Sequence, residues 1–600
     1  MKKKILCLIC ILVLLLSSSC GGKPLGEYSV GDYSIDLPAS DVSDESVEAS
    51  FSPEVPDIPD VEDGESELEI LTVSGTENCW KTDGSVLTFS SLDADTVCSV
   101  SGKWAGSIVI DTGDDYEFEL ELCGVTVSSR TSSPIVSLAG ADVTLTAKKG
   151  YENFVCDRRA LSENEETTAA IFASGDLTVG GKGSLSVVSD NYGGIRTKDD
   201  LKLKNLTLSV NSSDTSLRGS DGVKAENCTF TLISVFGDGI KTSNSGISSK
   251  GNRKGSVKLE NCVSHIYAAC DGIDAAYNVE IGENAALDVY TDKYSPYSGE
   301  VTATDDDGRT PPSPGPEGGG RGGPGGPGGG PGGPGGPGGH GGPGGFDGGN
   351  TDKGDHSTKG IKADNDIFIN GGTVCVKSYD DAIHANSDAA LENGETPTGN
   401  VTISGGTLEL SSNDDGIHAD GTLTVTGGKI SVTNCYEGLE GNTVLISGGD
   451  ISVISKDDGI NSTSTSGVGI TISGGKLYIY AGGDGIDANS RTSYQGIVFE
   501  GGDVTVISTS GGNSSIDTEQ GYTYTGGKVL AVCPSGGMSS EAAKCRNFNS
   551  VGTKKTLSLK SGQILSVKAD GKTELTVKMP CSLSALVIYL GASDASFTTE

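Results

Sequence analysis

The residues best suited to chemistry in this chain are acidic side chains within one recurring phrase. It reads DDGIHAD from Asp414, YEGLEGN from Tyr436, DDGINST from Asp457 and GDGIDAN from Gly483. The glycines of these copies, which are 22, 21 and 26 residues apart, are Gly416, Gly438, Gly459 and Gly485. Carboxylate oxygens at a recurring position are hard ligands of the kind that Ca²⁺ prefers. The phrase therefore predicts cation binding.

Two positions of the phrase hold the acids, one on each side of an apolar residue. Two places before it stand Asp221, Asp238, Asp271, Asp415, Glu437, Asp458 and Asp484. Directly after it stand Asp274, His384, His418, Glu440, Asn461, Asp487 and Asp517. If the apolar residue points inward, the residue after it points outward. The predicted Ca²⁺ ligands are Asp271, Asp274, Asp415, Asp420, Glu437, Glu440, Asp458, Asp484, Asp487 and Asp517.

A cation would relieve the repulsion within such a column of acids. Two carboxylates on strands ~4.8 Å apart repel by ~3.5 kcal/mol at an effective dielectric constant of 20. A purely structural interpretation stays open, because Asp-Gly is a common turn pair and the carboxylate can accept a hydrogen bond from nearby backbone.

Four further side chains are candidates for contact with a carbohydrate. His384 and His418 share the outward position and could bind a metal ion or a ligand, or be ordinary surface residues. Tyr478 and Tyr480 alternate with apolar residues and are expected to face outward, where they could stack on sugar rings or be partly buried. HExxH and GxSxG motifs are absent, so no catalytic residue is predicted.

The elements that must position these residues are short strands. A period near 22 residues fits one turn of a parallel β-solenoid. In the copy that begins at Asp414, Ile417 opens one strand, and apolar residues alternate in two more, with Gly427-Gly428 as a bend between them. Ser-Gly-Gly bends recur at 404–406, 447–449 and 473–475. The predicted fold is all-β: a single-stranded right-handed parallel β-helix.

Weaker copies of the phrase extend the predicted helix towards the N-terminus. They are GGI at 193–195, SDGV at 220–223, GDGI at 237–240, CDGI at 270–273, KGI at 359–361 and DAI at 381–383. The irregular spacing predicts loops inserted between turns. The longest insertion is a Gly/Pro-rich loop, and simple alternation near the C-terminus predicts a small β cap over the last turn.

Composition changes divide the chain into predicted segments. They are a lipoprotein-type signal peptide (1–20), an acidic disordered tether (21–70), the first half of the β-helix (71–310), the Gly/Pro-rich loop (311–355), the second half (356–548) and the C-terminal β cap (549–600). An apolar run followed by small residues before Cys20 predicts lipidation of Cys20, although an ordinary secretory signal has the same outline. The expected location is the outer face of a bacterial membrane, with the lipid anchor as the only membrane contact.

Charge and cysteine content limit the partners. A formal net charge of −38 argues against nucleic acid and favours cations or ligands reached through cations. Without Cys7, Cys10 and Cys20, twelve of the 15 cysteines remain in the exported body, where disulfides and buried free thiols are both plausible.

Taken together, these motifs resemble the exported clostridial carbohydrate-binding proteins with a pectate-lyase-like right-handed parallel β-helix. The DGI phrases, the Ser-Gly-Gly bends, the strand WAGSIV from Trp104, SPI at 133–135, AAIF at 169–172 and the Gly/Pro-rich insertion support the resemblance. It implies binding of cellulose or acidic pectin-like polysaccharide, bound Ca²⁺ and no assigned catalysis. This chain departs from the pattern at Lys359 and Lys362, which puts cation binding at that turn in doubt.

The sequence thus predicts a cell-surface protein that binds plant-type polysaccharide through Ca²⁺. One alternative is a Ca²⁺-dependent polysaccharide lyase, with Lys362, Arg491 or Lys377 as the base that removes a proton. The other is a structural or adhesive surface protein whose ions only provide rigidity.

Overall fold

The computed structural model describes residues 71–90, 94–113, 116–138, 142–162, 165–298, 357–488, 496–519 and 521–600. The predicted signal peptide with Cys20, the tether and the Gly/Pro-rich loop lie outside the described residues.

The described chain is a parallel β-solenoid of about 15 turns, as predicted. Each turn contributes strands to three parallel sheets, which we name A, B and C in the order in which the chain visits them. The phrase strands pair in register within sheet A, where Ile383 lies beside Ile417, Ile417 beside Leu439, and Leu439 beside Ile460. Equivalent residues of successive turns therefore lie one strand apart.

The strands are grouped by sheet. Sheet A contains Val86–Ser90, Ser107–Asp111, Ile135–Ser137, Ala169–Ala173, Gly193–Thr197, Leu217–Gly219, Ile240–Lys241, Ile273–Ala275, Ile361–Ala363, Ile383–Ala385, Ile460–Ser462 and Ile486–Asp487. Sheet B contains Val143–Ala147, Leu177–Gly181, Asp200–Lys204, Gly222–Glu226, Ser256–Glu260, Val279–Ile281, Ile367–Ile369, Val401–Ile403 and Thr523–Tyr524. Sheet C contains Glu152–Asp157, Ser184–Ser189, Thr207–Ser212, Thr229–Ser234, Val263–Ala268, Ala286–Thr291, Thr373–Lys377, Thr407–Ser411, Lys429–Cys435, Asp450–Ser455 and Lys528–Pro534.

Six longer strands bend through a corner and belong to two sheets. Those that join sheets A and B are Ile417–Val425 and Leu439–Ile446. Those that join sheets B and C are Thr96–Ala105, Phe118–Ser129, Ile470–Ala481 and Ile497–Ser508.

Inward-facing apolar residues form one continuous core along the solenoid. Ile417, Leu439 and Ile460 are fully buried, and burial of such a side chain contributes ~1.5–3 kcal/mol. Cys228 and Cys262 lie in the same core as buried free thiols, which decides between the two interpretations of these cysteines.

Glycine is required in the phrase because neighbouring turns leave no room for a side chain. A Cβ at Gly459 would lie 2.2 Å from Ile479 Cγ2 and 2.5 Å from the carbonyl oxygen of Gly485. In the Ser-Gly-Gly bends the second glycine has a positive φ, for example 94° at Gly406 and 97° at Gly449. Both requirements follow from close stacking of the turns.

Replacement of Gly459 by alanine is expected to destabilise the solenoid by about 1–3 kcal/mol, because the new methyl group overlaps backbone as well as a side chain. Denaturant unfolding of the full chain measures this change. Gly511→Ala is the matched control, since a Cβ there meets nothing within 4 Å. Equal losses in the two variants would contradict the steric explanation.

Both ends of the solenoid are covered. At the N-terminal end Thr72–Gly75 pairs antiparallel with Thr96–Ala105, and Trp80–Asp83 forms a hairpin with Val86–Ser90. At the other end Leu583–Leu590 pairs antiparallel with Lys528–Pro534 and so occupies the open edge of sheet C, which confirms the predicted cap.

The remaining cap strands are Gly552–Leu559, Ile564–Ala569, Lys572–Lys578 and Ser596–Thr599. Among the described residues, the helices are the 3₁₀ segments Asp292–Tyr294 and Gly537–Ala543 and the α-helical turn Phe548–Val551. Within the described ranges, no helix has the length and apolar character needed to cross a bilayer.

Candidate functional site

One column of outward side chains follows the apolar residues of sheet A, and we call it the sheet A ladder. Strand register places its members side by side on successive turns. In spatial order they are Arg196, Arg218, Lys241, Asp274, Lys362, His384, His418, Glu440, Asn461, Asp487 and Asp517. The ladder therefore changes from mainly cationic, through imidazole, to mainly acidic.

The acids two places before the apolar residue lie at the corner that leads into sheet A, and we call them the corner carboxylates. One carboxylate oxygen accepts a hydrogen bond from a backbone N–H of the next turn in Asp238, Asp271, Asp415, Asp458 and Asp484. The N–H of Asp271 donates to Asp238 Oδ1 at 3.0 Å, that of Glu437 to Asp415 Oδ1 at 3.1 Å, and that of Asp484 to Asp458 Oδ1 at 2.7 Å. The structural interpretation thus holds for one oxygen of these residues, while the second oxygen of Asp238 lies beside Lys241 and that of Asp415 beside His418 of the ladder.

At the cationic end, lysines neutralise the acids. Lys241 Nζ lies 2.9 Å from Asp238 Oδ2 and 3.2 Å from Asp274 Oδ2, and Lys362 Nζ lies 3.1 Å from Asp274 Oδ1. Although burial opposes ionisation, Lys362 and Lys241 hold the pKa of Asp274 below its ordinary value. The predicted ligands Asp271 and Asp274 do lie together with Asp238, but two ammonium groups already supply the positive charge there.

In the middle of the ladder, His384 and His418 stack on each other with ring centroids 4.4 Å apart. Carboxylates surround both rings: Asp381, Asp415, Asp420 and Glu440. Although burial favours the neutral ring, Asp415 and Glu440 raise the pKa of His418 to about 10. Asp381 and Asp420 likewise raise the pKa of His384 against the effect of burial.

Beyond the histidines, carboxylates outnumber cations. Burial, then the charges of Glu440 and Asp415, raise the pKa of Glu437 to about 9. Burial and Asp415 raise the pKa of Glu440 to about 8, although the charge of His418 lowers it. Asn461 Nδ2 donates to Glu437 Oε2 at 2.9 Å. These groups favour the protonated form or require a cation nearby.

The acidic end of the ladder brings together Asp458, Asp484, Asp487 and Asp517. Burial raises the pKa of Asp458 to about 7, and burial and the charge of Asp458 do the same for Asp484. Burial and the other three acids raise the pKa of Asp487 well above its usual value. Asp487 Oδ1 is buried without a hydrogen-bond partner. In the part of the chain that the structure describes, no lysine or arginine forms an ion pair with Asp458, Asp484 or Asp487.

The donors at this end are carboxylate oxygens, the type of ligand that a hard cation prefers. Asp458, Asp484 and Asp487 provide oxygen atoms and negative charge, no lysine or arginine of the described chain pairs with them, and Asp487 Oδ1 has no hydrogen-bond partner. These residues could hold Ca²⁺, which would supply the positive charge that the lysines supply at the other end.

Two predictions from the sequence are wrong. Tyr478 does face out of the solenoid, but the C-terminal cap covers it and leaves it 4 % exposed, so it is not available to stack on a sugar. Tyr480 is partly buried against the same cap. The phrase SDGV at 220–223 is not a copy in sheet A, because Gly222 pairs with Asp200 and Ser256 in sheet B.

Sequence reasoning also missed two residues of the site. Lys241 and Asp381 occupy the ladder and corner positions of their turns, and the same alignment on the apolar residue would have found both. Lys362 does not suit the role of the base in the alternative of a lyase. Asp274 and Asp271 raise its pKa despite burial, which favours the protonated form that cannot accept a proton. Lys377 Nζ lies 4.6 Å from the centre of the Tyr294 ring, and Arg491 is outside the described residues.

The fold and ladder define a parallel β-solenoid protein with a graded column of charge along one face. Comparison with known proteins specifies the class: residues 83–400 and 396–575 match the family model of the carbohydrate-binding domain-containing proteins, and the chain belongs to this family. Membership supports polysaccharide binding in general and confirms the resemblance found in the sequence.

A curated relative and a solved structure share part of the chain. A carbohydrate-binding domain-containing protein of Acetivibrio thermocellus is 30% identical over 115 residues, which are 18% of this chain and 40% of the relative. The chain thus spans less than half of that protein. A solved structure of the polysaccharide lyase-like protein from C. thermocellum, a gadolinium derivative, is 26% identical with a TM-score of 0.32, covering 36% of this chain and 85% of the other.

Proposed function

We propose that the protein binds plant-type polysaccharide, either acidic pectin-like chains or cellulose, with Ca²⁺ held at the acidic end of the sheet A ladder. Its location would be the outer face of a bacterial membrane, anchored through a lipid on Cys20. The family supports the polysaccharide partner. The observation that carries the Ca²⁺ proposal is the group of Asp458, Asp484 and Asp487, whose charges no lysine or arginine among the described residues balances, together with the buried Asp487 Oδ1.

Ca²⁺ would serve both the protein and its ligand. A chain of net charge −38 repels uronate carboxylates, so an acidic polysaccharide needs a cation between the two. A bound Ca²⁺ that keeps open coordination positions can accept carboxylate or hydroxyl oxygens from the sugar. Asp458 and Asp484 are held in place, because one oxygen of each accepts a backbone N–H of the next turn.

A pull-down tests this proposal. The full exported chain is incubated with insoluble cellulose and with immobilised polygalacturonate, in Ca²⁺ or in chelator. We expect retention in Ca²⁺ and at least a tenfold loss in chelator. The double variant Asp484→Asn/Asp487→Asn should be retained as poorly in Ca²⁺ as the wild type is in chelator.

Asp450→Asn/Asp503→Asn is the matched control, because these acids lie beside glycines of the B–C corner, away from the ladder. It should behave as wild type. Retention of the ladder variant at the wild-type level would overturn the Ca²⁺ site. Failure to retain any polysaccharide, together with a melting temperature that falls in chelator, would instead favour the structural alternative.

A further inference from the structure

The two stacked histidines are not ordinary surface residues. The side chains of His384 and His418 are only 14% and 27% exposed, and their rings are parallel within 7°. Two imidazolium ions at this separation would repel by ~4 kcal/mol at an effective dielectric constant of 20. A single ion shared between the rings removes this repulsion.

Buried carboxylates hold one edge of each ring. His384 Nδ1 lies 2.7 Å from Asp381 Oδ2, and His418 Nδ1 lies 3.2 Å from Asp415 Oδ2. Both carboxylates are themselves fixed, because Asp381 Oδ1 accepts the N–H of Asp415, and Asp415 Oδ1 accepts the N–H of Glu437. An Nδ1–H that donates to a carboxylate leaves Nε2 as the metal-binding nitrogen, and this arrangement is usual for histidine ligands in metal sites.

The opposite edges of the two rings meet at one oxygen. Asp420 Oδ1 lies 3.3 Å from His384 Nε2 and 3.4 Å from His418 Nε2, and Asp420 Oδ2 accepts the N–H of Ser387 at 2.6 Å. The two Nε2 distances are longer than the ~2.7–2.9 Å of a charge-assisted hydrogen bond. Both are close to the ~3.3–3.4 Å between neighbouring ligand atoms that tetrahedral geometry gives for zinc bonds of ~2.0–2.1 Å, so the carboxylate is already placed for each imidazole, and the parallel rings must tilt towards each other to share one ion.

We propose that His384 Nε2, His418 Nε2 and Asp420 bind one transition-metal ion of the Zn²⁺ class, separate from the Ca²⁺ proposed at the acidic end. Two imidazole nitrogens and one carboxylate favour such an ion over Ca²⁺, which prefers oxygen ligands alone. Asp381 and Asp415 orient the imidazoles. Binding draws the two Nε2 edges together and leaves a position for water or another oxygen ligand.

Cobalt titration tests the site. The full exported chain, purified without a polyhistidine tag and stripped with chelator, is titrated with Co²⁺ at neutral pH. We expect one Co²⁺ per chain with a visible ligand-field band, which Zn²⁺ abolishes and a large excess of Ca²⁺ leaves unchanged. Calorimetry in two buffers should show proton release on Zn²⁺ binding, because the metal replaces protons on imidazole.

Variants then assign the ligands. His384→Gln/His418→Gln and, separately, Asp420→Asn should abolish or blue-shift the Co²⁺ band, and circular dichroism checks that each variant is folded. Asp381→Asn should lower Zn²⁺ affinity about 10–100-fold through loss of orientation. Asp484→Asn/Asp487→Asn should keep the band. An unchanged band in both the histidine and Asp420 variants, absence of a band in wild type, or displacement of Co²⁺ by Ca²⁺ would overturn the proposal.

Discussion

Raising the pH from about 4.5 to about 6.5 in chelator is expected to lower the melting temperature of this protein, whereas most proteins become more stable as their carboxylates ionise. Asp458 and Asp484 each have a pKa of about 7 in the folded chain, against about 3.9 in an unfolded one. A folded pKa above the unfolded one means that the folded chain holds the proton more tightly. Its contribution to stability is complete below about pH 4 and is lost as the pH rises towards about 7.

The expected loss is several kcal/mol. One pKa unit corresponds to about 1.4 kcal/mol, and two partly buried residues have a pKa of about 7, while that of Asp487 is also raised. His418, whose pKa is raised to about 10, adds a loss of the same sign only above about pH 6.5, where an unfolded histidine begins to lose its proton. Asp274 and Asp420 have pKa values below that of an ordinary aspartate. Their titration therefore changes the stability only below about pH 3.9, outside the pH range of this experiment.

Thermal unfolding at a series of pH values measures the effect. Asp484→Asn/Asp487→Asn should make the fall shallower, because the amide is isosteric with the protonated acid and does not titrate, whereas Asp458, Glu437 and Glu440 still contribute. Asp450→Asn/Asp503→Asn should keep the slope of the wild type. If bound Ca²⁺ neutralises the cluster, millimolar Ca²⁺ should also reduce the fall. A melting temperature that rises over this pH range in both wild type and the cluster variant would show that burial does not raise the pKa values of these acids.

The solenoid could be predicted from the sequence because stacking imposes local requirements at fixed positions. Gly459 and Gly406 are required by clash and by positive φ, and Ile417 must fill the core between two turns, so each turn repeats the same pattern. The direction of side chains follows from strand alternation alone. The fold and the outward-facing positions could therefore be predicted without knowing which turns lie next to each other.

The charge state of the ladder could not be predicted, because it depends on which turns become neighbours. Asp274 looked like a metal ligand, yet Lys362, 88 residues later in the chain, lies on the next turn and forms an ion pair with it. Insertions of irregular length hide this adjacency. Tyr478 was misjudged for a similar reason, since the cap that covers it comes from the far end of the chain. A strand that is buried on both faces is apolar throughout. The unbroken apolar run from Val529 to Cys533 therefore indicates that the outer face of sheet C is covered there.

Replacement of both Lys241 and Lys362 by methionine is expected to destabilise the protein by about 3–5 kcal/mol in chelator, because it leaves the buried Asp274 without two ammonium partners. Methionine keeps much of the length of the lysine side chain, so packing changes little. Denaturant unfolding measures the loss. Lys224→Met is the control, since the pair of Lys224 with Glu260 is exposed and such pairs contribute only about 0–1 kcal/mol.

The same double variant tests whether a metal and a lysine are interchangeable on this ladder. Asp238, Asp271 and Asp274 offer oxygen atoms within 4.8 Å of one another, so without the lysines they form a cluster of carboxylates that no ammonium group neutralises. Ca²⁺ should then raise the melting temperature of the variant by more than that of wild type, and Asp274→Asn in the variant background should abolish the gain. A double variant as stable as wild type in chelator would show that the lysines do not neutralise these acids. A destabilised variant that gains nothing extra from Ca²⁺ would show that stacked carboxylates alone do not make a cation site, and the acidic end would then need a further feature to bind one.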